Sequence, residues 1–204
     1  MDIKKIKTLG ALKKSGYISR SIKEELRENF PYKMLEVYGA EADDIIATIC
    51  ESQKENIMIV SGDKDFIQLQ KYANVDQYNP VLKKWVRHAN PVQYITEHVL
   101  RGDTGDGVPN ILSPDNCLAI GERQKPMTKK RIELYSKDPS AMDEETKLRF
   151  NRNKQMIDLT MIPQEFVDNI LEAYNNQEEV GRSHLFNYFV KQRLKNLIGD
   201  LQDF

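Results

Sequence analysis

Asp63 and Asp65 stand one residue apart just after Ile57-Met58-Ile59-Val60-Ser61-Gly62, and that placement suggests chemistry. Two ionised carboxylates so close repel one another, and a bound cation relieves the repulsion. Magnesium suits such a pair: it is hard, prefers oxygen ligands and keeps waters that a phosphate group can displace. Two further acidic groups accompany the pair. In Glu41-Ala42-Asp43-Asp44, residues 41 and 44 share a helix face, and Asp43 joins them if Glu41 lies at the helix mouth. In Gly102-Asp103-Thr104-Gly105-Asp106-Gly107, aspartates at i and i+3 can point to one place, and the glycines permit close backbone approach or positive φ. The first two groups also have a plainer explanation. Aspartates after a strand serve turns and caps, and acids at 41–44 complement a helix dipole.

The elements around these residues follow from apolar spacing. Four apolar, mostly β-branched residues at 57–60 suit a strand covered on both faces, as in a parallel sheet, whose carboxyl edge is where ligands bind. Upstream, Ser21 can cap a helix through Ile22, Leu26 and Phe30, which Pro31 stops. Tyr32 to Val37 reads as a short strand, followed by an apolar helix over Ala40 to Cys50. A right-handed crossover then places 32–37 parallel to 57–60 and brings the first two acidic groups to one edge. Downstream, the pattern predicts a short helix through Phe66, Leu69 and Tyr72, a hairpin of Val75–Tyr78 with Trp85–Arg87, and a helix opened by Pro91. Three helices follow, over 144–160, 164–175 and 183–201. The expected fold is α/β, with a short, mainly parallel sheet in residues 1–101 and a helical region over 102–204.

Composition is that of a soluble globular chain of 204 residues, 40% hydrophobic and 30% charged, with a formal net charge of -1. The near-neutrality hides segregation. Arg123-Gln124-Lys125-Pro126-Met127-Thr128-Lys129-Lys130-Arg131 carries five positive charges and no acid. Such a run is commonly a solvated loop and helix start, yet beside a Gly-rich turn it also suits a phosphate backbone held without base reading. Two cysteines, Cys50 and Cys117, fit a reducing cytoplasm rather than a disulfide framework. No apolar run approaches the ~20 residues that cross a bilayer, and no signal-peptide segment follows Met1. A cytoplasmic protein without membrane partners is expected.

Taken in order, Glu41-Ala42-Asp43-Asp44, Ser61-Gly62-Asp63-Lys64-Asp65-Phe66 and Gly102-Asp103-Thr104-Gly105-Asp106-Gly107-Val108-Pro109-Asn110 resemble the motifs of the flap-endonuclease and 5′-3′ exonuclease superfamily. The chain is most similar to its tailed-bacteriophage ribonuclease H branch, from about Ser21 to the carboxyl end. The resemblance implies a partial PIN-like 5′-nuclease core followed by a helix-three-turn-helix that grips duplex DNA. It assigns metal binding to Glu41, Asp43, Asp44, Asp63, Asp65, Asp103 and Asp106, with Glu41, Asp43, Asp63, Asp65 and Asp106 catalytic. Gly105, Gly107, Arg123, Lys125, Lys129, Lys130 and Arg131 would hold the duplex. The implied cofactor is a pair of Mg2+ ions, replaceable by Mn2+, that hydrolyses a phosphodiester; the ions in such sites lie roughly 3.5–4 Å apart. The implied substrate is duplex DNA or an RNA–DNA hybrid with a 5′ end or flap, in the removal of RNA primers during replication alongside replication proteins.

The chain departs from the family pattern at its start. Family members begin with a strand carrying an essential aspartate, followed by a second aspartate and a basic arch; here the only acid before Ser21 is Asp2, with no apolar strand around it. The expectation is a chain that binds duplex and divalent ions and cleaves poorly until a separate polypeptide supplies the missing strands. A catalytically inactive duplex-binding remnant is the alternative. A haloacid-dehalogenase-type phosphatase, with Asp63 as nucleophile, is a weaker rival, because that family has a small residue and then Thr or Val soon after the second aspartate, where Phe66 and Ile67 stand here, and the Glu41 group has no role.

Overall fold

The computed structural model describes residues 4–7, 16–178 and 181–204. They divide into two compact units, 4–7 with 46–164 and 16–45 with 165–204. In chain order the elements are β1 (Lys4–Lys7), α1 (Gly16–Asn29), α2 (Ala42–Ser52), β2 (Ile57–Val60), a 3-10 helix (Asp65–Lys71), β3 (Val75–Asn79), β4 (Lys84–Val86), α3 (Pro91–Arg101), α4 (Lys129–Lys137), α5 (Glu144–Ile157), α6 (Gln164–Asn176), α7 (Ser183–Lys191) and α8 (Lys195–Ile198).

The first unit is built on a mixed sheet ordered β1-β2-β3-β4. Strands β1, β2 and β3 are parallel, and β4 returns antiparallel to β3 as the expected hairpin. This is the α/β architecture with a short, mainly parallel sheet that the patterning predicts. Ile57 and Ile59 are buried while Met58 and Val60 are half-buried, so one face of β2 is fully covered and the other only partly, rather than both equally. The covered face packs on Ile46, Ala47 and Cys50 of α2 and on Phe66, Leu69 and Val75. Burying a side chain of this size stabilises by about 1.5–3 kcal/mol. A further cluster, Leu100, Ile111, Ile132 and Met142, joins α3 to α4 and the loop between them. Val99, Val108 and Ile157 pack together where α3 meets α5 and the loop after α3. Buried Asn153 reinforces that junction by donating to the carbonyls of Val99 and Pro109, both at 2.9 Å.

Two expected elements differ. On the side away from β3, the parallel neighbour of β2 is Lys4–Lys7, in register Lys4↔Ile57 to Lys7↔Val60, and not residues 32–37. A strand does therefore exist near the amino end; as an edge strand it needs only one bonded neighbour and tolerates charged residues. Asp2 lies outside the described residues. The 32–37 segment finds other partners in the second unit: Phe30 and Tyr32 join an aromatic cluster with Tyr188, Phe189 and Phe204, and Lys33 Nζ donates to the carbonyl of Tyr174 at 2.6 Å. Helix α1 starts at Gly16, so Ser21 lies within it rather than capping it. The spacing Ile18, Ile22, Leu26 already carries the helical period back past Ser21.

The carboxyl-terminal region is helical as predicted, with one break. Residues 183–201 form α7 and α8 with a turn between them, where Arg193 adopts φ 57 and Leu194 N–H bonds back to the carbonyl of Phe189. The turn lays Leu197, Ile198, Leu201 and Phe204 on Phe30, Leu185 and Phe189, apolar burial that a straight helix would forgo. No described helix is long and apolar enough to cross a membrane.

Candidate active site

The turn after β2 is held by buried amides. Gln77 of β3 is fully buried, and its Nε2 donates to the carbonyls of Ser61 and Asp63. Asn79 accepts the N–H groups of Val81 and Leu82, and a Cβ at Gly62 would lie 2.6 Å from its amide nitrogen; glycine lets the turn close against the hairpin. Asp63 then accepts the N–H of Asp65 at 3.1 Å, which starts the 3-10 helix and fixes the pair beyond the carboxyl edge of the sheet.

Helix α3 delivers the other wall. Asn90 caps it by accepting Gln93 N–H at 2.9 Å, and Gly102 ends it with φ 69. A side chain at Gly102 would meet the carbonyl oxygens of Val108 and Pro109 at 2.4 and 2.5 Å, so only glycine allows the loop to fold back. Asp103 Oδ1 accepts the N–H of Gly105 at 2.8 Å and of Asp106 at 3.4 Å, and Oδ2 lies 3.2 Å from His98 Nε2. Asp63, Asp65, Tyr94, His98, Arg101 and Asp103 line one cleft of about 750 Å3.

The cleft holds more acid than base, with Asp63, Asp65, Glu97 and Asp103 against Lys64 and Arg101. Burial first, and then the charge of Asp63, lift the Asp65 carboxyl to about 6, with Asp103 and Asp106 adding to the rise and His98 opposing it. Burial also raises the Tyr94 hydroxyl, helped by Asp65, Asp103 and Asp63. Such a site gains from a cation. The donor set fits a divalent ion: carboxylate oxygens from two motifs converge, and one buried ring nitrogen, His98 Nδ1, has no hydrogen-bond partner.

Sequence reasoning found Asp63, Asp65 and Asp103, which meet in this cleft, and Asp106, which is exposed in the loop but acts on the charge of Asp65. It missed His98, one of only three histidines in the chain, because a single histidine on an amphipathic helix is unremarkable. Its placement one turn before Gly102-Asp103 was the available signal. Glu41, Asp43 and Asp44 belong to the second unit. There Asp44 accepts the N–H of Glu41 at 2.9 Å, half of a capping box, while Glu41 is exposed and Asp43 half-buried in the first turn of α2.

The basic segment has a clamped backbone and exposed side chains, of which Arg131 donates to the carbonyl of Pro126 at 3.2 Å. Asn110 N–H donates to Gln124 Oε1 at 2.7 Å, Asn110 Nδ2 to the carbonyl of Lys125 at 2.8 Å, and Lys125 N–H to buried Ser113 Oγ at 2.9 Å. Arg123, Lys125, Lys129, Lys130 and Arg131 are all exposed. Thr128 caps α4, whose first turn holds three cations and no acid. That arrangement opposes the helix dipole and favours an anion there. Gly105 and Gly107 lie in the exposed loop before it, Gly107 at φ 78.

Comparison with known proteins points the same way. Residues 90–204 match the family model of T4 RNase H, C terminal, and residues 19–99 match that of the 5′-3′ exonuclease N-terminal resolvase-like domain. The ribonuclease H of Enterobacteria phage T4 is 31% identical over 204 aligned positions, which cover 93% of this chain and 67% of that protein. DNA polymerase I of Streptococcus pneumoniae is 32% identical over 112 positions, covering 43% of this chain and 13% of that protein. The 5′-3′ exonuclease of Buchnera aphidicola subsp. Schizaphis graminum is 30% identical over 97 positions, 43% and 34% of the two chains. With more than half of its length in the first of these family models and nearly all of it aligned to the phage protein, the chain belongs to the phage T4 ribonuclease H family of 5′-3′ exonuclease relatives.

Proposed function

We propose that this chain is a metal-dependent 5′ nuclease that hydrolyses phosphodiesters at a 5′ end or flap of duplex DNA or an RNA–DNA hybrid, in the removal of RNA primers during phage replication in the host cytoplasm. The observation that carries this reading is the convergence of Asp63 and Asp65 with Asp103 in one cleft at the carboxyl edge of the sheet. Glu41, Asp43 and Asp106 complete the proposed catalytic set on the strength of the family motifs. Two magnesium ions, or manganese in their place, would be held by these carboxylates and would supply Lewis-acid activation of water and neutralise phosphoryl charge.

The protein's own groups do the rest. Asp63 Oδ1 orients Asp65 by accepting its backbone N–H, and Asp103 pins the Gly105–Asp106 backbone so that the loop keeps one shape beside the cleft. The Asp65 carboxyl, lifted to about 6 by burial and by Asp63, is a group whose ionised form a bound cation would stabilise. Arg123, Lys125, Lys129, Lys130 and Arg131, at and before the N-terminus of α4, hold phosphates and carry no sequence information. Nothing in this region resembles a base-reading helix, so recognition is of duplex shape and charge.

A 5′-labelled, 5′-tailed duplex and an RNA–DNA hybrid, each incubated with magnesium, test the proposal. Release of short 5′ oligonucleotides that disappears in Asp63→Ala supports it. Tight duplex binding without release would identify a binding protein instead, and phosphate release from a monoester control would identify a phosphatase.

A further inference from the structure

Strand β3 ends at the same edge of the sheet as β2. The register pairs Val60 with Tyr78, so the turn that leaves β3 stands beside the turn that carries Asp63 and Asp65. Side chains of β3 join the two turns. Gln77 Nε2 donates to the carbonyls of Ser61 and Asp63, and the Asn79 amide fills the space that a Cβ at Gly62 would need. Asn79 then shapes its own turn: Oδ1 accepts the N–H groups of Val81 and Leu82 at 3.0 and 2.9 Å, and Lys83, at φ 51, leads the chain back into β4. Leu82 stands three residues beyond Asn79, a span of at most about 10 Å, or about three base-pair steps of duplex.

This tip is built but not covered. Polar residues and glycine ordinarily occupy hairpin ends, yet Val81 is 85% exposed and Leu82 59%. Side chains so open add little to the protein's own packing, and a partner that covers them gains apolar burial. The charge around the tip identifies the kind of partner. No acid stands between Asp76 and Glu97, while Lys83 and Lys84 are exposed and Arg87 pairs with Asp76 at 3.3 Å. A flat apolar surface edged with anions complements such a tip, and the face of a base pair with its flanking phosphates is such a surface. In continuous duplex each face is covered by its neighbour, and inserting a side chain costs stacking; at a branch or a duplex end one face is already bare.

Resting on the reading that this edge takes a 5′ end or flap of a duplex, we propose that the hairpin tip is a further nucleic-acid contact. Val81 and Leu82 pack on the bare face of the base pair at a branch or duplex end, and Lys83 and Lys84 take the phosphates beside it. The tip therefore selects branched or ended duplex over continuous duplex, a discrimination that phosphate contacts along the basic segment do not supply.

The full chain, kept free of divalent ions so that the DNA stays whole, is titrated into two probes with equal numbers of phosphates. One is a 5′-tailed duplex with 2-aminopurine in the base pair at the branch, and the other is a duplex closed by a loop at each end. The expected result is affinity about tenfold higher for the tailed probe, the size that partial burial of two aliphatic side chains supplies, with a change in 2-aminopurine fluorescence on binding. The Val81→Ser, Leu82→Ser double variant brings the two affinities within about twofold, binds the closed probe within about twofold of the wild type, and leaves the fluorescence unchanged. Lys83→Ala with Lys84→Ala lowers the salt slope for the tailed probe by about two units, one per phosphate contact. Thermal melting checks the fold of the serine variant; if it does not fold, the wild type decides, by showing or lacking the preference and the fluorescence change. A folded serine variant that keeps both overturns the proposal and leaves a protein partner as the occupant of the tip, while the nuclease reading stands if the wild type cleaves the tailed probe in magnesium. A wild type that neither distinguishes the probes nor cleaves in magnesium overturns both.

Discussion

The acidic cleft and the basic segment both lie in the first unit, and they handle charge in opposite ways. Around the cleft the charged groups themselves are held: Asp63 accepts Asp65 N–H, Asp103 takes two backbone N–H groups and His98, and Asp65 is largely withdrawn from solvent. In the basic segment the backbone is held, through Asn110, Ser113 and Gln124, while the cationic ends are exposed and only Arg131 is tied back, to the carbonyl of Pro126. Fixed carboxylates suit a chelate, where position sets function. Exposed cations on a fixed backbone suit a polyanion, where the number of contacts sets affinity. The contrast predicts that single changes at the cleft abolish chemistry, while changes in the basic segment have graded effects on binding.

The largest expected effect is on turnover. Misplacing reacting groups by ~1 Å can cost ~100-fold in rate, so Asp65→Asn should lower single-turnover cleavage by at least about 100-fold while duplex affinity stays within about threefold. A comparable loss of affinity would break the contrast. Next is the Lys129→Ala, Lys130→Ala, Arg131→Ala triple variant. Its affinity should fall for all sequences alike, with the salt dependence flattened by about one unit of slope per lost phosphate contact, as fluorescence anisotropy across a salt series would show. Unchanged slopes would mean that the cations are only solvated.

Asn110→Ala sharpens the account of how the basic segment is held. The buried amide accepts from Leu112 N–H and Ser113 O–H and donates to the carbonyl of Lys125. Its removal should cost about 2–3 kcal/mol in urea unfolding, because buried partners are left unpaired. The smallest effect concerns pH. The folded Asp65 carboxyl sits at about 6, above the 3.8 of a free aspartate, so the folded state holds the proton more tightly. The stability this contributes is fully present below pH 3.8 and lost as pH rises through 6. Asp65→Asn should therefore be more stable than the wild type at pH 7.5 without metal, by on the order of 1–2 kcal/mol, and match it below pH 4. Metal affinity of the wild type should fall as pH drops through 6.

Local patterns were legible wherever local rules decide. The apolar run 57–60, the hairpin at Asn79-Pro80 and the Pro91 helix start all follow from short-range periodicity and turn chemistry. The neighbour of β2 was not legible, because residues 32–37 have as much apolar character as an edge strand needs and only tertiary packing sends them to Phe189 and Tyr174. The break at Arg193 follows from the same cluster, which rewards a turn that the helical spacing does not announce. At the site, paired aspartates stand out on chemistry alone. His98 did not, since its meaning arises only when the loop after Gly102 folds back and brings Asp103 to the ring.

The account's central claim is that chemistry belongs to the acidic cleft and affinity to the basic segment. The most direct measurement is single-turnover cleavage of a 5′-labelled, 5′-tailed duplex in magnesium at saturating protein, for the wild type, Asp63→Ala and the basic triple variant. The account predicts short 5′ oligonucleotides from the wild type and the triple variant at rates within about threefold, and none from Asp63→Ala, which still binds the duplex. Cleavage by Asp63→Ala at the wild-type rate would contradict it.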